Sequence, residues 1–239
     1  MYNLIKRVFD LVFAILALLV LTPFMLPIMV LLRVTGEGYV FYRQKRVGFK
    51  NRTFEILKFA TMLKNSPSMK GGAITTDRDP RILPMGHFLR KTKINELPQL
   101  INVVLGEMSF VGPRPLMREQ SFDLYSEEVK KSIYNVKPGI TGLGSLIFRD
   151  ESGLISTVAN AGGDPKLFYQ NIIFPHKGAV EQWYQANQSF YMDLVILAGT
   201  AISLFAPGSD LIYTFFPEVP RENLNRQAEE FYLKKTELI

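Results

Sequence analysis

KTKINELPQLINVVLGEMSFVGPRP, Lys91 to Pro115, is the stretch on which the fold turns. It reads as a helix start carrying Glu96, then an apolar helical run, then a Gly-Pro-Arg-Pro turn. Asn95 is placed to cap the helix, and Glu96 falls in its first turn. Pro98 is tolerated there because first-turn N–H groups have no intrahelical partner. Leu97, Leu100, Ile101, Val104 and Leu105 recur at helical spacing and predict one buried face. Gly106 ends the helix. Arg114 stands between two prolines of fixed φ, so its guanidinium hangs from a backbone with little freedom left to lose. A carboxylate at a helix start with a stiffly mounted arginine nearby suits a metal-bound diphosphate. The plainer reading is a cap, a dipole partner and a surface turn. The rest of the chain weighs between them.

The 239 residues suffice for one domain with appendages. With no cysteine, disulfides and thiolate chemistry are ruled out, in keeping with a reducing compartment. Two histidines, His87 and His176, are too few and too far apart in sequence for a zinc site. The net charge of +6 points to an anionic partner, either nucleic acid or an anionic membrane face.

The N-terminus favours the membrane. Lys6 and Arg7 precede an apolar run from Val8 to Leu32, broken only by Asp10 and Thr22 and closed by Arg33. That length permits a span, since about 20 apolar residues suffice. Thr22-Pro23 and Pro27 interrupt the run, where a proline removes a hydrogen bond and bends the axis. Basic residues lie on both flanks, Arg43, Lys45 and Arg46 among those after it, and would keep both ends cytoplasmic. Lys6 to Thr22 rises roughly 25 Å at 1.5 Å per residue, so the run can turn back within the bilayer. A re-entrant helix-break-helix is the preferred form.

Val40 to Met62 reads as a β-hairpin turning around Gly48 to Asn51, with Phe54, Ile56 and Lys58 on one side of its second strand. Arg43, Arg46 and Lys58 are either solvated charges or phosphate receivers. Asn65 to Thr76 reads as a loop, and Asp79 before Pro80 as a turn-former or a second metal carboxylate. Arg90 lies in a short helix after Pro84. Leu116 to Tyr134 has the spacing of an amphipathic helix, through Phe122, Tyr125, Val129 and Ile133. Val136 to Glu151 is a Pro/Gly-rich turn and an apolar segment, and Ser152 to Lys166 a polar region. A helix from about His176 to Ser189 leads into a second apolar run, Phe190 to Pro207, short for a span and suited to the interface. Trp183, Tyr184, Tyr191, Tyr213 and Phe216 gather around it, as rings do at headgroup level. Arg221 to Lys235 suits one more amphipathic helix. There are no internal repeats, no GxxxxGK[ST], no GxGxxG and no catalytic Ser-His pair.

Several of these motifs, in this order, resemble the bacterial sugar transferases that act as monotopic phosphoglycosyl transferases. The resemblance rests on KRVFDLVFAILALLVLTPF, YRQKRVGFKNRTFEILKFATM, DRDPRILPMGHFLRKTKINELPQLINVVLGEMSFVGPRP, KPGITG and SFYMDL. It implies transfer of a sugar phosphate from a UDP-sugar to undecaprenyl phosphate with release of UMP. It implies an Asp-Glu dyad at the ELPQL helix supported by Mg²⁺, whose Asp attacks the β-phosphate to give a phosphosugar-enzyme intermediate. Carried over by position, Glu96 is the dyad Glu and the metal contact, and Arg90 and Arg114 are phosphate-binding, joined by Lys58 and Arg46.

The dyad Asp is Asn95 in this chain. An amide is a poor nucleophile and brings no charge to Mg²⁺. Either the chain carries a change at 95, or its branch uses Glu96 or another carboxylate such as Asp150 or Glu151, or it binds without transferring. Ala60 replaces the family's arginine in the KFATM segment, and Leu143 to Phe148 replaces its usual aromatic-Gln pattern.

The expected fold class is α+β, mainly helical: a re-entrant membrane helix (1–36), a catalytic domain with a small hairpin (37–189), and interfacial helices (190–239). The expected partners are a UDP-sugar, undecaprenyl phosphate and membrane lipids, with no nucleic acid; a homo-oligomer stays open. The expected location is the cytoplasmic face of the bacterial inner membrane. The alternative is an inactive membrane module that binds lipid phosphate or nucleotide sugar. Neither the sugar nor the glycan pathway is legible.

Overall fold

A computed structural model describes residues 1–69, 79–119, 122–149, 151–160, 162–205 and 211–221. The fold is α+β and mainly helical, and it divides into two compact units. One comprises Asn3–Arg46 and Thr53–Ser109; the other comprises Val47–Arg52 and Phe110–Ile239, with Met1 grouped with the first and Tyr2 with the second.

The first unit is built on α1 (Tyr2–Thr35), 34 residues long and about 50 Å at 1.5 Å per residue. Helical structure runs through Pro23 and Pro27, so the expected break becomes two prolines inside one helix. Neither proline has an N–H to return to the carbonyl four residues back, which weakens the turns between Leu19 and Pro27. Thr22 Oγ1 adds to the distortion by donating to the Leu18 carbonyl at 2.5 Å. One stripe of α1, Met25 and Leu32 with Ile28 and Met29, packs against Phe59 and Leu89. The other side leaves Leu19, Val20, Phe24, Val30 and Val34 exposed. An apolar surface this long, on a helix with an 18-residue window of mean hydropathy 2.7, is unstable in water and stable in a bilayer.

The hairpin forms as expected from β1 (Phe41–Val47) and β2 (Thr53–Phe59). It is followed by α2 (Pro84–Lys91), one 3₁₀ turn (Ile94–Glu96) and α3 (Gln99–Leu105). Asn102 docks α3 on β2: its amide donates to the Glu55 carbonyl at 2.8 Å, and its Oδ1 accepts the Leu57 N–H at 2.9 Å. Arg7 of α1 donates to the carbonyls of Val103 and Val104 at 2.6 and 2.9 Å. Arg7 thus adds a side-chain cap to the last turn of α3, where the Val103 carbonyl also accepts the Gly106 N–H at 3.0 Å. Gly106 ends α3 at φ 82°, as its place predicts. The buried face of α3 is Gln99, Leu100, Asn102 and Val103, whereas Leu105 is exposed. The helix starts three residues later than the apolar spacing suggested, and its buried face is not the one that spacing predicted.

In the second unit β3 (Ser109–Val111) pairs with β4 (Gly139–Thr141). The pairing continues into the turn, with Gly112 N–H to Thr141 O and Gly139 N–H to Pro113 O, both 3.0 Å. The helix expected over Leu116 to Tyr134 shrinks to a 3₁₀ turn (Phe122–Leu124) and α4 (Glu127–Ser132). Ser126 caps α4 by accepting the Val129 N–H. The expected apolar spacing still works, because Phe122, Tyr125 and Ile133 are buried in one cluster with Tyr134 and Phe174.

After β4 come α5 (Leu143–Ile147), α6 (Glu151–Asn160), α7 (Pro165–Phe168), α8 (Phe174–Asn187), α9 (Phe190–Phe205) and α10 (Leu211–Phe215). Two corrections follow. Most of the polar region from Ser152 is helical, its Leu154 and Val158 packing inward. The helix placed at His176 starts two residues earlier, at Phe174, joined to α7 through a π turn at Tyr169–Ile173. Residues 222–235, expected as a further helix, lie outside the described residues.

Candidate active site

Glu96 sits in the 3₁₀ turn, and Lys58 leaves β2 on the side shared with buried Ile56. Lys58 Nζ donates to Glu96 Oε1 at 2.8 Å, with the two side chains 17% and 22% exposed. A pair this shielded feels its charge more strongly than a surface pair, while solvent still reaches it. The Asn102 bonds that fix α3 to β2 hold the two partners in register. Arg90, in the last turn of α2, points its Nη1 at Thr61 Oγ1 at 3.5 Å, the outer limit of a hydrogen bond. Thr61 also accepts the Leu83 N–H through its carbonyl at 2.9 Å, so α2 is seated on the residues that follow β2.

Asn95 does not cap a helix. Lys93 before it is left-handed (φ 60°), no side chain caps the turn, and α3 proper begins after Pro98. Asn95 is 7% exposed and its Oδ1 has no hydrogen-bond partner among the described residues. Such an orphan costs on the order of 1–3 kcal/mol. Asn102, seven residues on, shows what a fully used asparagine looks like.

Asp79 takes the turn-forming reading rather than the metal reading. Its carboxylate accepts Arg81 Nε at 2.9 Å, Nη2 at 2.6 Å and the Arg81 N–H at 3.0 Å. These Arg81 hydrogen bonds hold Asp79 down to about 2, and both side chains are buried. Arg46 lies on β1 and donates from Nε and Nη2 to Gln44 Oε1 at 3.2 and 2.5 Å. Arg43 makes a solvent-exposed pair with Glu55 at 3.7 Å, of little energetic consequence.

In the second unit, Pro113 and Pro115 are buried while Arg114 between them is exposed. The Arg114 carbonyl accepts Tyr134 Oη at 2.6 Å, and the same hydroxyl accepts the Leu116 N–H at 3.0 Å. Glu151 pairs with Lys177, so its carboxylate is already engaged. Asp150 lies outside the described residues. Burial drives the Tyr169 phenol upward.

Glu181 of α8 went unseen in the sequence. It is 4% exposed, and burial pushes it up to about 7, against the opposing pull of Lys177 and of backbone N–H groups from Arg114 and Gly144. The one signal available was a carboxylate one turn after Lys177 and next to Val180 on a helix rich in apolar residues.

No group of three or more acidic or histidine side chains gathers among the described residues. Mg²⁺ seldom needs one, since one or two protein oxygens plus substrate phosphates and water complete its shell. The Glu96 carboxylate and the orphaned Asn95 Oδ1 are hard oxygen donors on adjacent residues, and they fit that requirement.

The sequence pattern of the family described as bacterial sugar transferase matches residues 1–207. An exopolysaccharide production protein, PSS, of Rhizobium leguminosarum bv. phaseoli is 34% identical over 208 residues, covering 85% of this chain and 96% of its own length. A UDP-N-acetylgalactosamine-undecaprenyl-phosphate N-acetylgalactosaminephosphotransferase of Aeromonas hydrophila is 38% identical over 148 residues, covering 61% of this chain and 34% of that protein. An undecaprenyl-phosphate galactose phosphotransferase of Salmonella typhimurium is 31% identical over 212 residues, covering 82% of this chain and 40% of that protein. The chain thus spans nearly all of the first relative and two-fifths or less of the other two. With a match across the apolar helix, the hairpin and the Asn95-Glu96 turn together, the chain belongs to the bacterial sugar transferase family.

Proposed function

We propose that the chain transfers a sugar phosphate from a UDP-sugar to undecaprenyl phosphate, releasing UMP, as the first membrane step of surface-glycan assembly. The observation that carries this reading is the Asn95-Glu96 pair with Lys58 on Glu96, in the same unit as the exposed apolar surface of α1. The names of the Aeromonas and Salmonella relatives support the acceptor, and that of the Rhizobium relative supports the glycan context.

In the proposed reaction the bond between the β-phosphorus and the oxygen bridging to UMP breaks. That oxygen leaves with the electron pair as UMP. The β-phosphorus bonds a lipid-phosphate oxygen, directly or after a protein carboxylate has held the phosphosugar. Lys58 and Arg90 neutralise the donor diphosphate and lower the cost of the leaving charge. Arg114 and Arg46 receive phosphate roles from the sequence motifs alone. Glu96 and Asn95 Oδ1 would hold Mg²⁺, which supplies positive charge to the diphosphate when bound. The apolar surface of α1 anchors the chain at the inner membrane, with the remaining residues on its cytoplasmic face, where soluble nucleotide sugar meets lipid phosphate. On this reading residues 1–36 anchor, 37–189 catalyse and 190–239 lie in the interface.

Asn95 favours a second reading, in which the chain binds nucleotide sugar or lipid phosphate without transferring. Purified protein in detergent with Mg²⁺, undecaprenyl phosphate and a panel of UDP-sugars separates the two by UMP release. Release that depends on the lipid and falls with Glu96→Gln supports transfer. Full turnover in Glu96→Gln rejects the site, and nucleotide binding without release selects the second reading.

A further inference from the structure

The backbone around Arg114 is held by residues far from it in sequence. The Gly112 N–H donates to the Thr141 carbonyl, and the Pro113 carbonyl accepts the Gly139 N–H, both at 3.0 Å. The Leu116 carbonyl accepts the Val47 N–H at 2.8 Å. The groups on either side of Pro115 go to a single atom. The Tyr134 hydroxyl donates to the Arg114 carbonyl at 2.6 Å and accepts the Leu116 N–H at 3.0 Å. A Cβ at position 142 would lie 2.1 Å from the Gly112 carbonyl oxygen, so these segments meet backbone to backbone.

Tyr134 is itself fixed. Its side chain is 1% exposed, its ring stacks on Phe122 with centroids 5.8 Å apart, and its own carbonyl accepts the Lys50 N–H at 2.7 Å. In a simple turn the Leu116 N–H would close back on the carbonyl of Pro113. That carbonyl is taken by Gly139, and the phenol stands in for it. A phenol both donates and accepts, so one buried atom serves both sides of Pro115, which has no N–H of its own. From this buried turn the Arg114 side chain alone projects into solvent between its two prolines. We infer that Tyr134 is a positioning residue for Arg114, fixing the peptide groups around Pro115 so that the guanidinium meets a nucleotide diphosphate already oriented. With φ limited by prolines and the peptide groups pinned by the phenol, less entropy is lost when the anion binds.

The inference rests on Arg114 contacting the diphosphate, and a double-mutant cycle on UDP affinity keeps the two claims apart. Titration calorimetry with UDP and Mg²⁺ compares wild type, Arg114→Ala, Tyr134→Phe and the double variant, with melting temperatures as the control for folding. Tyr134→Phe keeps the ring on Phe122 and removes only the hydroxyl. It is expected to weaken UDP binding by about three- to tenfold, the range for re-ordering a released side chain. In the Arg114→Ala background the same change is expected to cost less than about twofold, because its route is gone. Ile133→Val lies in the same buried cluster but makes no bond to the turn. It is expected to lower the melting temperature and to bind UDP within about twofold of wild type, which separates a loosened turn from a weakened fold. Gly142→Ala presses on Gly112 and leaves the hydroxyl in place, so it is expected to reproduce the Arg114-dependent loss.

Equal losses for Tyr134→Phe with and without Arg114 would overturn the inference, as would full UDP affinity in a folded Tyr134→Phe. A loss in Ile133→Val as large as that in Tyr134→Phe overturns it too, by assigning the effect to stability. Where Tyr134→Phe does not fold, Gly142→Ala carries the same comparison. An Arg114→Ala protein that binds UDP like wild type sinks the phosphate role of Arg114 first and the inference with it.

Discussion

Two buried oxygens in different units of this protein, Asn95 Oδ1 and Glu181 Oε2, are left without partners among the described residues. The first belongs to a neutral amide. The second belongs to an ionisable carboxylate. The difference shows in what each can do when the surroundings change. Asn95 can only gain a donor or a cation, whereas Glu181 can take a proton, and burial already pushes it up to about 7. Asp79 marks the satisfied extreme, with Arg81 filling both oxygens and holding it down to about 2. Solvent access does not separate the three, because all are buried. The partner does.

The largest effect should come from making the first oxygen charged. Asn95→Asp supplies a second carboxylate beside Glu96 and a nucleophile that an amide is not. If transfer runs through residue 95, UMP release should rise by on the order of 10³ or more, since loss of a nucleophile can cost about 10⁶. Without Mg²⁺ the same variant should melt lower than wild type, as two adjacent carboxylates repel in a shielded site, and Mg²⁺ should restore it. An unchanged rate would place the chemistry on another carboxylate and leave Asn95 as a neutral ligand.

The second oxygen is probed by pH. Glu181 titrates near 7 when folded and near 4.5 in an unfolded chain, so the folded state holds its proton more tightly. Its contribution is fully present below about 4.5 and is lost as pH rises through about 7, on the order of 3 kcal/mol in all. Asp79 has the opposite sign, with stability present above 3.8 and lost as pH falls through about 2. Between pH 5 and 8 only Glu181 of this pair contributes a slope. Denaturant midpoints in detergent should therefore fall across that window in wild type and fall distinctly less in Glu181→Gln. Parallel curves would mean that Lys177 and the two amides hold Glu181 ionised throughout.

What was legible in the sequence follows the range of the interactions. The hairpin, the apolar helix and the Gly106 stop depend on local pattern, and each stands where the spacing put it. Lys58 and Glu96 were named separately, and the 2.8 Å contact between them needed Asn102 to dock α3 on β2 across 45 positions. The start of α3 was misplaced because Asn, Glu and Pro all favour helix starts, and nothing local says that Lys93 turns left-handed first. The helix at 151–160 was missed because Ser, Thr and Gly break its apolar period. Glu181 was beyond reach. Its burial comes from the packing of α8 against segments distant in sequence, which carries no mark along the chain.

The smallest expected effect asks why the first oxygen exists at all. If Asn95 served only the fold, its orphaned Oδ1 would be a defect, and an apolar residue of similar shape would do better. Asn95→Leu removes the unpaired oxygen and keeps the branched shape, so stability should rise by about 1 kcal/mol where the site takes up the larger methyl groups, read from the denaturant midpoint. Mg²⁺-dependent binding of UDP should fall in the same protein, because the oxygen that costs stability is the one offered to the ion. The opposite signs are the point, since a residue kept for structure loses both together. An Asn95→Leu protein that is less stable and binds UDP normally would show that Asn95 is packed for its amide, and the likeness between the two buried oxygens would end at their burial.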